Sequence, residues 1–320
     1  CAHARVEIEI WCQAPYFVYC QNMVPDTKFL GRVLMAVYRR GYQRYQGPIT
    51  SRRARFLVLP RFAWRRLFQQ RLIALLMMVA LIWPLLCAIF IYISNHAELL
   101  KGMDKQFQNF VEIKGNFFII FMQVQASFAI FLAALAGPGL IAPDLANNAL
   151  PLYFSRPLSR MEYALGRLTT LFGMLSLITW APGLFLFSMQ VGMADRSWFT
   201  ANWRIGLGII AGFAVWILLV SLVALAGSAY AKLRVVAGGV VLGVFFILSG
   251  ATAIINLVFR STWGSILDPT WATRRLWYAM FDVDPPAGPG VWACILALAA
   301  VMLLLLLVLE RKLRPVEVIS

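Results

Sequence analysis

Residues able to do chemistry are few and scattered in this chain. Cys1, His3, Cys12 and Cys20 offer thiolate and imidazole ligands near the start, but their spacing matches no paired-ligand zinc pattern. The five cysteines (Cys1, Cys12, Cys20, Cys87 and Cys294) contain no CxxC pair, and two lie in apolar runs where a thiol behaves as a small hydrophobe. Ser249, in the run Leu-Ser-Gly-Ala, would need a base to become a nucleophile. The two histidines, His3 and His96, lie outside every long apolar run, so Ser249 has no such partner. There is no HExxH and no GxxxxGK[ST], which removes zinc-peptidase chemistry and the usual cradle for ATP phosphates. No catalytic, metal or cofactor-binding residue is assigned, and the chain is not expected to be an enzyme.

The solvent that must surround the chain is set by its composition. Its 320 residues are 61% hydrophobic and 13% charged, with a mean hydropathy of +0.74, whereas soluble domains are about half apolar and about a quarter charged. At about 20 apolar residues per helical span, this length holds six spans and leaves no room for a soluble catalytic domain. Apolar runs place them at 72–94, 117–136, 164–190, 205–230, 235–258 and 291–309. The expected fold is all-α, a polytopic membrane protein of six transmembrane helices. The third run contains Pro182-Gly183, where a break is expected. Beyond Arg167 at the entry of the third, no run has Asp, Glu, Lys, Arg or His in its interior, which argues against a proton relay or ion-coupled carrier. Gly208 and Gly212, and Gly239 and Gly243, have the four-residue spacing that lets helices approach closely, most simply within the bundle.

The formal charge of +15 is distributed by position. Basic residues crowd between Lys28 and Arg71, just ahead of the first span, a positive-inside pattern assisted by anionic lipid headgroups; nucleic acid is not the expected partner. With that segment inside, Arg156, Arg160, Lys232, Arg234, Arg311, Lys312 and Arg314 are inside too. The opposite loops balance Lys101, Lys105 and Lys114 with Glu98, Asp104 and Glu112, and Arg260, Arg274 and Arg275 with Asp268, Asp282 and Asp284. Both termini are therefore expected in the cytoplasm. Residues 1–34 lack an initiator methionine and any periodicity, as an over-extended gene start or cloning remnant would. Residues 35–71 form a basic cytoplasmic segment in which Phe62, Trp64, Leu67 and Phe68 interleave with arginines, the pattern of an interfacial amphipathic helix. The six-span domain covers 72–309 and a cytoplasmic tail covers 310–320.

Between the second and third spans runs GPGLIAPDLANNALPLYFSRPLSRMEYALGRL. Leu145, Ala149, Leu152 and Tyr153 supply an apolar face, and a short helix starting near Pro143-Asp144 is expected, with proline in its first turn and an acid at its positive end. Held parallel to the membrane, it would offer a compact surface to a cytoplasmic partner. Here the sequence resembles the permease subunits of ABC-2 type exporters, in which a coupling helix is followed by Ser-Arg-Pro-(Leu/Ile)-Ser-Arg and a Gly-Lys-like start of the next span. Those positions are Ser155, Arg156, Pro157, Leu158, Ser159 and Arg160, then Gly166-Arg167. The layout from about residue 56 is also similar, whereas the family's Glu-rich stretch and Gly-Thr pair are replaced by Asp144, Asn147, Asn148 and Ala149.

The resemblance implies an ATP-driven exporter whose ATP and Mg are bound by a separate ABC ATPase subunit, with a second permease copy or a paralogue completing the path. It implies coupling through the 143–160 loop, at Asp144, Asn147, Asn148, Tyr153, Ser155, Arg156, Pro157, Ser159 and Arg160, in a bacterial inner membrane. It also implies short helices in the Trp-rich segment before the last span, where Trp263, Trp271, Trp277 and Tyr278 suit the headgroup interface. The rival readings are an ATP-independent channel or facilitator, for which an uncharged lining is equally suitable, and a membrane anchor or assembly protein.

Overall fold

Long runs of Leu, Ile, Val, Phe, Met and Ala can satisfy their backbone groups in lipid only as helices, and helices are what form. A computed structural model describes residues 57–96, 113–147, 149, 159–194, 196–231 and 233–312, all within a compact unit spanning Ile49–Ser320. The elements are α1 (Val58–Phe68), α2 (Arg71–Asn95), α3 (Gly115–Ala136), α4 (Pro138–Ala146), α5 (Arg160–Ile178), α6 (Trp180–Met193), α7 (Arg196–Tyr230), α8 (Arg234–Val258), a 3-10 turn (Trp263–Leu267), α9 (Pro269–Met280) and α10 (Val291–Lys312). Six stretches are long and apolar enough to cross a membrane: α2, α3 with α4, α5 with α6, α7, α8 and α10. The chain is a multi-pass helical membrane protein. Residues 1–56 and 313–320 lie outside the described residues, and with them the extension 1–34 and most of the basic segment.

Helix α7 is the axis of the bundle. Its most apolar stretch is 72% buried, against 11% for α10 and 17% for α8, and it touches α3, α4, α5, α6, α8, α9 and α10. Trp216 and Phe213 on α7 are fully buried with Phe118, Phe121 and Met122 of α3, and the Trp216 indole donates to the Ala126 carbonyl at 3.3 Å. Gly208 and Gly212 are the groove that receives α9: a Cβ at Gly212 would stand 2.8 Å from the Trp277 ring, and one at Gly208 would collide with Phe281. This first small-residue pair therefore packs within the chain. Gly239 has nothing within contact of its missing Cβ, and Gly243 meets only Ile247 of its own helix. Trp277, expected at the headgroup interface, is instead 2% exposed in the core, its ring centroid 6.1 Å from that of Phe213. Trp263 is 65% exposed.

Two breaks fall elsewhere than the prolines suggest. The third span breaks at Thr179 (φ −108°, ψ −95°), not at Pro182-Gly183. Proline is tolerated in the first turn of a helix, where its missing N–H would have no partner, so Pro182 sits near the start of α6 and the kink moves upstream. Pro143 and Asp144 likewise do not start a helix: they lie near the C-terminal end of α4, which has Pro138 in its first turn, and Leu152 and Tyr153 of the helix expected there lie outside the described residues. Ser228 of α7 holds α4 in place, its hydroxyl oxygen accepting from the Ile141 and Ala142 N–H groups at 3.3 and 2.9 Å.

A polar clasp inside the bundle relates two of the prolines. Pro84 and Pro182 have no N–H to give the carbonyls four residues earlier, those of Ala80 and Ile178. The fully buried Gln125 of α3 donates from Nε2 to both, at 3.1 and 2.6 Å. Two carbonyl acceptors oblige the amide to present its nitrogen, which settles its orientation.

Candidate functional site

The end of the bundle where α4 stops and α5 starts brings together what the sequence analysis singled out. Asp144 reaches across to residues of α5 that lie 19 and 23 positions later along the chain. There the Tyr163 hydroxyl donates to Asp144 Oδ2 at 2.6 Å, and the Arg167 guanidinium pairs with the same oxygen. Tyr163 and Arg167 are four residues apart and so share a helix face. The guanidinium carbon lies 5.1 Å from the Tyr163 ring centroid, a cation–π contact. Tyr163 is fully buried, and the side chains of Arg167 and Asp144 are 10% and 17% exposed. This is a charge pair held inside the edge of the apolar bundle, where removal of either member leaves the other uncompensated.

A second device fixes the start of α5. The Ser159 hydroxyl accepts from the Glu162 N–H at 3.2 Å and Glu162 Oε2 accepts from the Ser159 N–H at 2.7 Å, a reciprocal capping box. Helix α1 lies along the same region: the Trp64 indole donates to the Thr170 carbonyl at 2.8 Å, and Trp64 packs over Gly173, where a Cβ would clash. Leu67 is buried, whereas Phe62 is 70% exposed and Arg61, Arg65 and Arg66 are exposed. A cavity of about 270 Å³ beside the capping box is walled by Leu168, Leu225 and Leu306, with Arg160 and Glu310 at its polar side.

Of the residues assigned to coupling, Asp144, Asn147, Ser159 and Arg160 are described. Asp144 is engaged with Tyr163 and Arg167, Ser159 caps α5, Asn147 ends α4 with its side chain exposed, and Arg160 is exposed. Asn148, Tyr153, Ser155, Arg156 and Pro157 lie outside the described residues. Tyr163, Glu162 and the pairing of Arg167 with Asp144 were not among the residues expected from the sequence. Serine three residues before glutamate was a legible signal for the cap, and Tyr163-xxx-Arg167 a weaker one for a shared face.

Charge is unequal between the two ends. The α1/α5 end carries Arg61, Arg65, Arg66, Arg71, Arg160, Arg167, Arg234, Arg311 and Lys312 against Asp144, Glu162 and Glu310 among the described residues. At the other end Lys114, Arg204, Arg260, Arg274 and Arg275 face Asp268, Asp282 and Asp284. There Asn95 Nδ2 donates to Gln190 Oε1 at 2.8 Å, and Arg204 lies 3.9 Å from the Asp282 carboxylate. Among the described residues no three His, Cys, Asp or Glu side chains converge as metal ligands; Cys1, His3, Cys12 and Cys20 lie outside them. No protein-family model matches the chain, and no curated protein matches it in sequence.

Proposed function

We propose that this chain is the permease subunit of an ATP-driven exporter of ABC-2 type, forming the membrane path and coupling to separate ATPase subunits through residues 143–160. The observation that carries the reading is the double anchoring of that loop. Its first end is tied by Asp144 to Tyr163 and Arg167, and its last end by the Ser159–Glu162 box, so both ends belong to one rigid corner of the bundle. Force applied to a loop anchored in this way passes into α4 and α5 instead of being absorbed by fraying ends.

The cation excess at this corner supports a cytoplasmic placement by the positive-inside rule, with both termini on that side of a bacterial inner membrane. Docking falls to the exposed Asn147 and Arg160 and to the 148–158 stretch, with Asp144 and Ser159 as anchors. The backbone break at Thr179, and the helical hydrogen bonds that Pro138 and Pro84 cannot make, give α5, α4 and α2 places to pivot. Alternating access in this scheme is a rocking of helices about those joints, driven by closure of the partner ATPases.

The test is a photo-crosslinking residue in place of Arg156 in the full chain, in native membranes. A crosslink to a polypeptide with a phosphate-binding loop is expected. Reaction with lipid alone would contradict the assignment and favour an ATP-independent facilitator.

A further inference from the structure

At the cation-rich end a cavity of about 180 Å³ opens between α1, α4, α5 and α8, open at Gly139, where no atom approaches the missing Cβ. Arg66 of α1 and Arg234 of α8 line it, together with Phe62, Gln70, Leu140 and the Asp144–Arg167 pair. Asp144 and Arg167 neutralise one another. Arg66 and Arg234 make no ion pair or hydrogen bond among the described residues, so the lining carries two uncompensated positive charges. Two guanidinium groups on different helices, converging on one hollow beside the amide of Gln70, suit a single phosphate-bearing anion.

The rim tells which anion. Phe62 on one side is 70% exposed, and Leu233 and Val235, flanking Arg234 on the other, are 67% and 87% exposed. Large apolar side chains this open beside paired arginines mark the boundary between acyl chains and headgroups, where basic pockets between helices hold anionic lipid. We propose that this cavity is a specific site for the headgroup phosphate of an anionic diacyl phospholipid, with Arg66 and Arg234 clamping the phosphate and Phe62, Leu233 and Val235 lying along its chains. A bound lipid would bridge α1 to the start of α8 and hold the amphipathic helix against the bundle. The site rests on the membrane-spanning architecture and not on the transport reading, so each can fail without the other.

The experiment is native mass spectrometry of the full-length protein in a neutral detergent, titrated with phosphatidylglycerol or phosphatidylcholine. The unaltered protein is expected to retain one phosphatidylglycerol in preference to phosphatidylcholine. In the variant Arg66→Gln with Arg234→Gln that lipid should bind about 30-fold more weakly, from the loss of two surface guanidinium contacts. Arg66→Lys with Arg234→Lys, which keeps the charge, should retain most of the preference, and Arg260→Gln at the opposite end should leave it intact. Equal retention of both lipids by the unaltered protein would overturn the proposal, as would undiminished phosphatidylglycerol binding in the double glutamine variant. Displacement of the lipid by millimolar inorganic phosphate would show a site for free phosphate and equally overturn it.

Discussion

Gln125 donates a 2.6 Å hydrogen bond to the carbonyl of Ile178, the last residue of α5 before the break at Thr179. The same amide nitrogen serves Ala80, four residues before Pro84, so one uncharged side chain closes a proline gap in one span and a helix end in its neighbour. In lipid an unmade backbone hydrogen bond has no water to replace it. The clasp therefore lets α2 carry Pro84, and α5 give way to α6, without leaving bare carbonyls in the bundle.

Replacing Gln125 with Leu keeps the volume and removes both donors. The expected loss is about 1–2 kcal/mol, in the range of interhelical hydrogen bonds in membranes, read as a fall in thermal unfolding temperature in detergent. Adding Pro84→Ala should recover part of that stability, because the restored N–H satisfies the Ala80 carbonyl from within α2. An unfolding temperature unmoved by Gln125→Leu would show that the clasp contributes nothing.

Asp144 and Arg167 should behave as a unit. Arg167→Met alone strands a largely buried carboxylate and is expected to cost about 3–5 kcal/mol, whereas Asp144→Leu combined with Arg167→Met should cost far less than the sum of the two single changes. Tyr163→Phe removes one hydrogen bond and should cost about 1 kcal/mol. A double-mutant cycle on thermal unfolding measures this, and additive single costs would refute the pairing.

Topology yields to accessibility. With the α1/α5 end inside, Asp284→Cys should react with a membrane-impermeant maleimide in intact cells, whereas Glu310→Cys should react only after the membrane is opened. The reverse pattern would invert the orientation. The background is low once Cys1, Cys12 and Cys20 are replaced by Ser, since Cys87 and Cys294 are both buried.

Span edges were legible because lipid imposes one rule on every residue of a span. The runs 72–94 and 117–136 correspond to Arg71–Asn95 and Gly115–Ala136. The fourth span begins earlier than 205 because α7 continues outward through Trp198, whose indole caps the Ile113 carbonyl at 3.2 Å. The break at Thr179 was not legible from Pro182, since a proline disturbs the turn before it and sits comfortably in the turn it begins. Within the site the Ser159 cap is local and could have been read. The Asp144–Tyr163–Arg167 clasp depends on α4 and α5 meeting side by side, which no local pattern encodes. Trp277 was misplaced for the same reason: an aromatic in an amphipathic segment reads as an interfacial anchor until the Gly208/Gly212 groove that receives it is known.

The coupling reading is tested most directly by reconstituting the chain in lipid vesicles with and without the ATPase captured at Arg156, and measuring ATP hydrolysis. The rate of the complex should differ several-fold from that of the ATPase alone, and Arg156→Glu with Arg160→Glu should return it to the uncoupled value. A hydrolysis rate indifferent to the presence of the chain, with solute crossing the vesicle membrane equally well without ATP, would contradict an ATP-driven permease.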